Sequence, residues 1–178
     1  ASASKVGTMR YRTGTEYVEV DGTDIVTNGD FATDTDWGKG TGWSISGGTA
    51  NGAATVDPLY QTITGFTAGS KYRVRFEVTA VTSGYIRVYA YVGASGTFTN
   101  IFQSASLQTG IHEVVFEFGG TNKILRFYGS QASTGGFTGS IDNVLVTEVT
   151  EEDASYADMC MQTAASTYEW VNIVKNSY

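Results

Sequence analysis

Apolar and polar residues alternate with a period of two along much of the chain, most clearly between residues 71 and 81. Successive side chains of a β-strand point to opposite faces, so this alternation predicts strands with one buried and one exposed face. In this segment one face carries Tyr72, Val74, Phe76, Val78 and Ala80, and the other carries Arg73, Arg75, Glu77 and Thr79.

The same pattern continues in residues 85–92, 112–118 and 123–130. Shorter strands are predicted at residues 24–27, 43–46, 53–56, 59–64, 101–108 and 140–149. Glycine-rich turns separate these segments, and no stretch shows a sustained helical period. The pattern therefore predicts an all-β fold, an antiparallel β-sandwich of the jelly-roll type, over residues 24–149.

The two ends of the chain have a different pattern. Residues 5–22 predict a hairpin with its turn at residues 13–15, and residues 156–162 and 168–174 predict two strands after a short acidic linker at residues 151–153. Because an isolated hairpin is marginally stable in water, we expect residues 1–22 and 151–178 to fold together into one small β unit.

Composition and charge exclude several classes of function. The 22 glycines and 11 tyrosines favour a turn-rich β protein. The net charge of −7 argues against a nucleic-acid partner, which would require a basic surface. No segment has the apolar length needed for membrane insertion. Cys160 is the only cysteine, so an intrachain disulfide is excluded.

Three phrases in the central segment resemble the carbohydrate-binding modules of families four, nine and twenty-two. They are DIVTNGDF at residues 24–31, followed by Trp37 and Trp43; TAGSKYRVRF at residues 67–76; and GSIDNVLV at residues 139–146. The resemblance implies a jelly-roll sandwich that binds a glycan.

The termini resemble β segments of bacteriophage tail and head fibre proteins, through GTMRYR at residues 7–12, DMCMQT at residues 158–163 and YEWVNI at residues 168–173. This resemblance implies an extracellular protein on the virion surface. Its expected partners are a bacterial surface glycan or polysaccharide, other virion subunits and further copies of itself, with a trimer as the expected oligomer.

Sugars stack their apolar faces on aromatic rings while polar side chains bind their hydroxyl groups. Outward-facing strand positions that mix these residue types are therefore candidate ligand-binding residues, and we expect them to share one concave surface if their strands pair in one sheet. They are Arg75, Glu77, Arg87, Tyr89, Tyr91, Glu117, Arg126 and Tyr128, beside Arg73. The alternative is that the arginines and glutamates form cross-strand ion pairs and the tyrosines merely occupy solvent-facing positions.

Two tryptophans are further candidates for stacking. Trp37 lies in a segment rich in Gly and Asp, where it is either an exposed ligand-binding platform or part of the core rim. Trp43 is expected in the core.

The resemblance also implies a structural Ca²⁺ ion near the first and last strands of the sandwich, bound by oxygen ligands. Asp142 and Asp30 are the candidate metal ligands, assisted by Asn143. Ala32 and Asn143 stand where the family has acidic residues, and the alternative role of Asp142 is to hydrogen-bond the first loop.

The residues that carry most enzyme chemistry are scarce. A nucleophilic triad would have to use His112, the only histidine, and one His with one Cys cannot provide a zinc site. Glu113 and Glu117 lie about 13 Å apart on one strand, beyond the roughly 5–10 Å that glycoside hydrolysis requires. The sequence therefore predicts that the chain is not an enzyme.

These patterns together predict a non-catalytic glycan-binding module of a phage virion or another extracellular assembly. The alternative is a purely structural virion subunit whose sandwich and terminal strands contact other proteins. A third interpretation is an accessory domain of a bacterial glycosidase.

Overall fold

The computed structural model describes residues 2–92, 96–130 and 135–177. It confirms the predicted fold class, because two antiparallel sheets pack face to face as a sandwich. Two compact units are distinguished by their internal contacts: a terminal unit of Ala1–Glu19 and Thr150–Tyr178, and a sandwich unit of Val20–Val149. No helix in the described ranges has the length and apolar content needed to cross a lipid bilayer.

The described residues form twelve strands, preceded by a short 3-10 turn at Ala3–Lys5. The strands are β1 (Met9–Asp24), β2 (Gly38–Lys39), β3 (Trp43–Ser46), β4 (Thr49–Thr55), β5 (Pro58–Thr62), β6 (Lys71–Ser83), β7 (Ile86–Val92), β8 (Thr97–Gln103), β9 (Gly110–Glu117), β10 (Ile124–Gly129), β11 (Phe137–Ala164) and β12 (Thr167–Ser177).

Two sheets form the sandwich unit. The front sheet has the strand order β2-β5-β10-β7-β8, and the back sheet has the order β3-β4-β11-β6-β9. All of these neighbours pair antiparallel. Consecutive strands β6 and β7 belong to different sheets, since the chain crosses from the back sheet to the front sheet between them.

The core lies between the two sheets and is rich in aromatic residues. Phe76 of the back sheet contacts two front-sheet rings, with centroid distances of 5.1 Å to Phe127 and 5.5 Å to Phe102. Both contacts are edge-to-face, a geometry that aromatic pairs prefer. Most of the residues predicted to point inward are buried, among them Tyr72, Val74, Phe76, Val78, Ile86, Val88, Ala90, Leu125 and Phe127. The alternation thus predicted the inward face of β6 correctly up to Val78; beyond it Ala80 is exposed and Val81 packs against the core.

Tyr72 also anchors the loop before β6. Its buried hydroxyl group donates to the carbonyl of Gly65 at 3.2 Å and accepts from the backbone N–H of Thr67 at 2.9 Å. The ring packs edge-on against Phe66, with 4.8 Å between centroids. This tyrosine therefore fixes where the chain enters the back sheet.

The terminal unit corrects two predictions. The predicted hairpin at residues 5–22 is wrong, because β1 is one uninterrupted strand from Met9 to Asp24. Gly14, at the predicted turn, does not adopt a positive φ, and β1 pairs with β11. The predicted acidic linker at residues 151–153 is also wrong, since β11 runs without a break to Ala164; charged side chains that point to solvent are compatible with strand structure.

A polar network lies within the terminal unit, where β12 pairs antiparallel with the end of β11. Asp158 is 1% exposed; its carboxylate accepts from Arg10 Nε at 3.0 Å and from Asn172 Nδ2 at 3.1 Å. The Arg10 guanidinium also lies 4.5 Å from the centroid of the Trp170 ring. A buried carboxylate requires such partners, because charge without them is costly in the interior.

Candidate functional site

The eight predicted ligand-binding strand residues lie on two sheets. Arg75 and Glu77 on β6 and Glu117 on β9 belong to the back sheet, whereas Arg87, Tyr89 and Tyr91 on β7 and Arg126 and Tyr128 on β10 belong to the front sheet. Because both groups point away from the core, they occupy opposite outer faces of the sandwich. The expectation that they share one surface is therefore wrong.

The outer face of the front sheet, here called the front face, has an ordered arrangement of arginine and tyrosine. In the pairing of β10 with β7, Arg126 lies opposite Tyr89, and Tyr128 lies opposite Arg87. Arginine thus alternates with tyrosine both along and across this strand pair. On the far side of β10, Tyr60 of β5 lies opposite Arg126 and extends the same row.

Aromatic rings on the front face contact one another. Tyr89 stacks on Phe98 with 5.1 Å between centroids and meets Tyr128 edge-on at 5.2 Å. Phe98 also lies 5.2 Å from Tyr91, which is its neighbour in the pairing of β7 with β8. The four rings form a continuous, half-buried aromatic surface.

Phe98 lies between the strands predicted at residues 85–92 and 101–108 and was not among the predicted ligand-binding residues. Strand β8 begins at Thr97, and its register sets Phe98 opposite Tyr91 and Asn100 opposite Tyr89. The signal was present in the run of Thr and Phe residues that starts at Thr97, which favours a strand. A register shift between Val88 and Tyr89 obscures the simple alternation.

The two arginines of the front face are held by the same rings. Arg87 donates from Nη1 to the Tyr89 hydroxyl at 3.4 Å and from Nη2 to the Gly129 carbonyl at 3.1 Å. Arg126 donates from Nη1 to the Tyr128 hydroxyl at 3.2 Å, and its guanidinium lies 4.9 Å from the Phe98 centroid. These contacts order both side chains before any ligand is present.

The front face extends to both sides of this centre. Tyr60 is 39% exposed and pairs with Gly38 of β2, where a side chain would collide with the tyrosine ring. Tyr91 accepts a hydrogen bond from Asn122 Nδ2 at 3.0 Å. The exposed part of the face therefore presents aromatic carbon, phenol hydroxyl groups and guanidinium N–H donors together.

The outer face of the back sheet has a different chemistry. Arg73 Nε lies 2.8 Å from Glu113 Oε1, and Asn143 Nδ2 donates to Glu77 Oε2 at 3.1 Å. These are the cross-strand polar pairs weighed as the alternative for this group of residues. The outward positions of β6 and β9 carry no aromatic side chain, so this face has no stacking surface along those strands.

Trp37 and Trp43 both lie in the core. Trp37 is 6% exposed, packs on Phe31 at 5.3 Å and Phe127 at 6.1 Å, and donates from Nε1 to the Asn28 carbonyl. The interpretation of Trp37 as an exposed ligand-binding platform is therefore wrong. Trp43 packs on Phe137 at 5.8 Å, which confirms its predicted core position.

Of the candidate calcium ligands, Asp30 and Asn143 line one hollow and Asp142 does not. Asp142 pairs with Glu77 across the back sheet, and its Oδ1 accepts from the backbone N–H of Asn143 at 2.7 Å. Asp30 instead lines a separate hollow of about 250 Å³ with Asp24 and Asn143. Among the described residues, no three acidic, His or Cys side chains are grouped closely enough to hold a metal ion. Calcium binding, which was expected with help from Asn143 and carbonyl oxygens, therefore stays a prediction.

His112 is neither exposed nor fully hydrogen-bonded. It is 8% exposed, lies 5.3 Å from the rings of both Phe76 and Phe102, and its buried Nε2 has no hydrogen-bond partner among the described residues. Burial lowers the pKa of the imidazole below its usual 6.5, and a hydrogen bond to the Gln108 backbone opposes this shift. The neutral form is therefore favoured inside the core.

Comparisons with known proteins give similarities to solved structures. No protein-family model matches the chain, and no curated protein matches it. Among solved structures, the chain is similar to the enzymatically active domain of tailspike protein 4 from bacteriophage CBA120, with a TM-score of 0.42 and 15% sequence identity. The similarity covers 70% of this chain but only 21% of the tailspike chain.

This similarity corrects one prediction. The matched tailspike domain is described as enzymatically active, which contradicts the expectation that the present chain is not an enzyme. We therefore do not retain that expectation. A likeness at this TM-score assigns no reaction to the chain.

Proposed function

We propose that the front face binds carbohydrate, and that its natural ligand is a polysaccharide of a bacterial surface. The observation that supports this proposal is the contiguous set of Tyr89, Phe98 and Tyr128 rings with Arg87 and Arg126 among them. A pyranose ring has an apolar C–H face and a polar rim, and this arrangement provides a partner for each.

Preorganisation makes the face suited to binding. The rings are packed against one another, and the arginines are hydrogen-bonded to tyrosine hydroxyl and backbone carbonyl groups. Immobilising a flexible side chain on binding costs roughly 0.5–1.5 kcal/mol, and side chains that are already ordered avoid part of that cost. The open sheet surface also gives room for a chain of several sugars.

Binding to a panel of bacterial surface polysaccharides, measured with the full chain on a glycan array and by affinity electrophoresis, tests the proposal. Tyr60→Ala and Tyr128→Ala each remove one ring from the front face. A ring contact is worth about 1 kcal/mol beyond its buried area, so each variant is expected to weaken binding about fivefold to tenfold. Ile111→Ala is the matched control, since Ile111 lies on the outer face of the back sheet and is 58% exposed.

Thermal unfolding of every variant separates a lost contact from a lost fold. Tyr60 is the more informative position, because no ring contact joins it to the aromatic surface among the described residues. If no bacterial polysaccharide binds, or if Ile111→Ala weakens binding as much as Tyr60→Ala does, the proposal fails.

A second role is supported by the surface of the terminal unit: we propose that this unit joins copies of the chain or other virion subunits. Large apolar side chains are exposed on its strands, namely Met9, Tyr11, Tyr17, Met161 and Ile173. Exposed apolar side chains are typical of protein interfaces where they form one contiguous patch. Sedimentation of the full chain and of a Tyr11→Ser/Ile173→Ser variant tests this role, which predicts an oligomer, with a trimer expected, that the substitutions dissociate.

A further inference from the structure

We infer that the carbohydrate bound by the front face is acidic, with an anionic sugar residue held by Arg87 and Arg126. This inference rests on the proposed function and specifies its ligand class. It follows from the charges of the front sheet, from the hydrogen bonding of its two arginines and from the position of those arginines among the rings.

The charge of the front sheet is opposite to that of the whole chain. The protein has a net charge of −7, yet strands β5, β7, β8 and β10 contain no Asp, Glu or Lys, and their only charged residues are Arg87 and Arg126. Residues 93–95 and 131–134, which follow β7 and β10, also contain no acidic residue. At the sheet edge, Lys39 of β2 is paired with Asp34.

Neither arginine is neutralised by the protein. Among the described residues, Arg87 and Arg126 form no ion pair, and their buried Nε atoms have no hydrogen-bond partner. Arg10 and Arg73, by contrast, contact the carboxylates of Asp158 and Glu113. Both arginines thus carry a positive charge without a counterion on an otherwise acidic protein. Their positive field attracts an anion from solution, which favours binding of an anionic ligand.

The location of these charges favours an anionic group on a sugar. Arg87 and Arg126 are diagonal neighbours in the pairing of β7 with β10, and the Tyr89 and Tyr128 rings occupy the other diagonal. A guanidinium binds a carboxylate through two parallel N–H donors, while the adjacent ring supports the apolar face of the same sugar. A neutral sugar would leave both positive charges without a counterion.

A nucleic acid is the other anionic polymer with stacking groups. Its phosphates require an extended basic surface, and the front sheet provides two arginines on a protein of net charge −7. The observations therefore favour an acidic polysaccharide, and an oligonucleotide serves as a competitor in the test.

The test compares matched polymers that differ only in charge. Polygalacturonate and polysialic acid are each measured against their carboxyl-reduced, neutral forms with the full chain, by affinity electrophoresis and calorimetry. We expect at least tenfold tighter binding of an acidic polymer, and a loss of this preference as salt is raised from about 50 to 500 mM, because salt screens charge attraction.

Substitutions identify the source of the preference. Arg126→Gln and Arg87→Gln are expected to reduce the difference in affinity between acidic and neutral polymers. Arg126→Lys keeps the positive charge, so only part of that difference in affinity is lost. Arg75→Gln, on the outer face of the back sheet, is the matched control and is expected to leave the preference unchanged. Thermal unfolding verifies that each variant remains folded.

The outcomes separate this inference from the proposed function. Equal or tighter binding of the neutral polymers overturns the acidic preference and leaves carbohydrate binding in place. A single-stranded oligonucleotide that binds more tightly than either acidic polymer also overturns it. If neither these polymers nor any polysaccharide of the wider panel binds, both the inference and the proposed function fail.

Discussion

Removing one buried oxygen atom tests whether the loop before β6 is held as the structure indicates. Tyr72→Phe deletes the hydroxyl group that joins the Gly65 carbonyl and the Thr67 N–H, and it keeps the ring. The contacts of the ring with Phe66 at 4.8 Å and Phe116 at 6.3 Å are retained. The substitution therefore isolates the two hydrogen bonds from packing.

The expected cost follows from those two bonds. Each contributes about 0.5–1.5 kcal/mol net, and a partner left unpaired in the interior costs about 1–3 kcal/mol. Gly65 and Thr67 are exposed residues of the loop before β6, so water reaches part of this loop and the upper value does not apply to both. We expect Tyr72→Phe to lower the free energy of unfolding by about 1–2 kcal/mol.

Urea unfolding followed by tryptophan fluorescence measures this change. A Trp170→Phe background leaves only Trp37 and Trp43, which are buried in the sandwich core and report its unfolding. Tyr60→Phe is the matched control: it removes the same atom from an exposed position and should change stability by less than about 0.5 kcal/mol. Equal midpoints for Tyr72→Phe and Tyr60→Phe would refute the assignment of the two hydrogen bonds.

Two further predictions concern the core. Burial lowers the pKa of His112, so the imidazole takes up a proton more readily in the unfolded chain than in the folded one. The contribution of the neutral His112 to the free energy of unfolding is therefore complete above pH 6.5, and it decreases as the pH falls from 6.5 through the folded-state pKa. Urea midpoints between pH 7.5 and 5.5 should show this slope in wild type, and an equal slope in His112→Phe would contradict the prediction. Gly129→Ala places a methyl group against the Thr55 carbonyl and should cost about 1–3 kcal/mol or more in the same assay. Gly14→Ala, whose nearest neighbour is 3.7 Å away, is its control, and similar losses in both variants would contradict the steric explanation.

Much of the fold could be predicted from local pattern. A period of two assigns each residue of a strand to one of two faces, and it correctly identified the buried series that contains Tyr72, Val74 and Phe76. The strand Trp43–Ser46 was predicted with its observed bounds, and Trp43 is in the core as expected. These features are set by residues that lie within a few positions of one another in the chain, and a local sequence pattern contains that information.

The membership of the candidate site depended on contacts between distant segments. Alternation showed that Arg75, Glu117, Tyr89 and Tyr128 point outward, but it carries no information on which strands become neighbours. The crossing of the chain between β6 and β7 places the first two on the back sheet and the last two on the front sheet.

The same limit explains the residues that were misplaced. Trp37 is buried because the Asn28 carbonyl accepts its indole N–H and Phe127 packs on its ring, and Phe98 joins the front face through its pairing with Tyr91. The turn predicted at residues 13–15 is absent, and β1 there is a continuous strand that pairs with β11. Local sequence determined which side of each strand is apolar. Tertiary structure decided which polar sides meet, because pairing energy comes from partners that are remote in the chain.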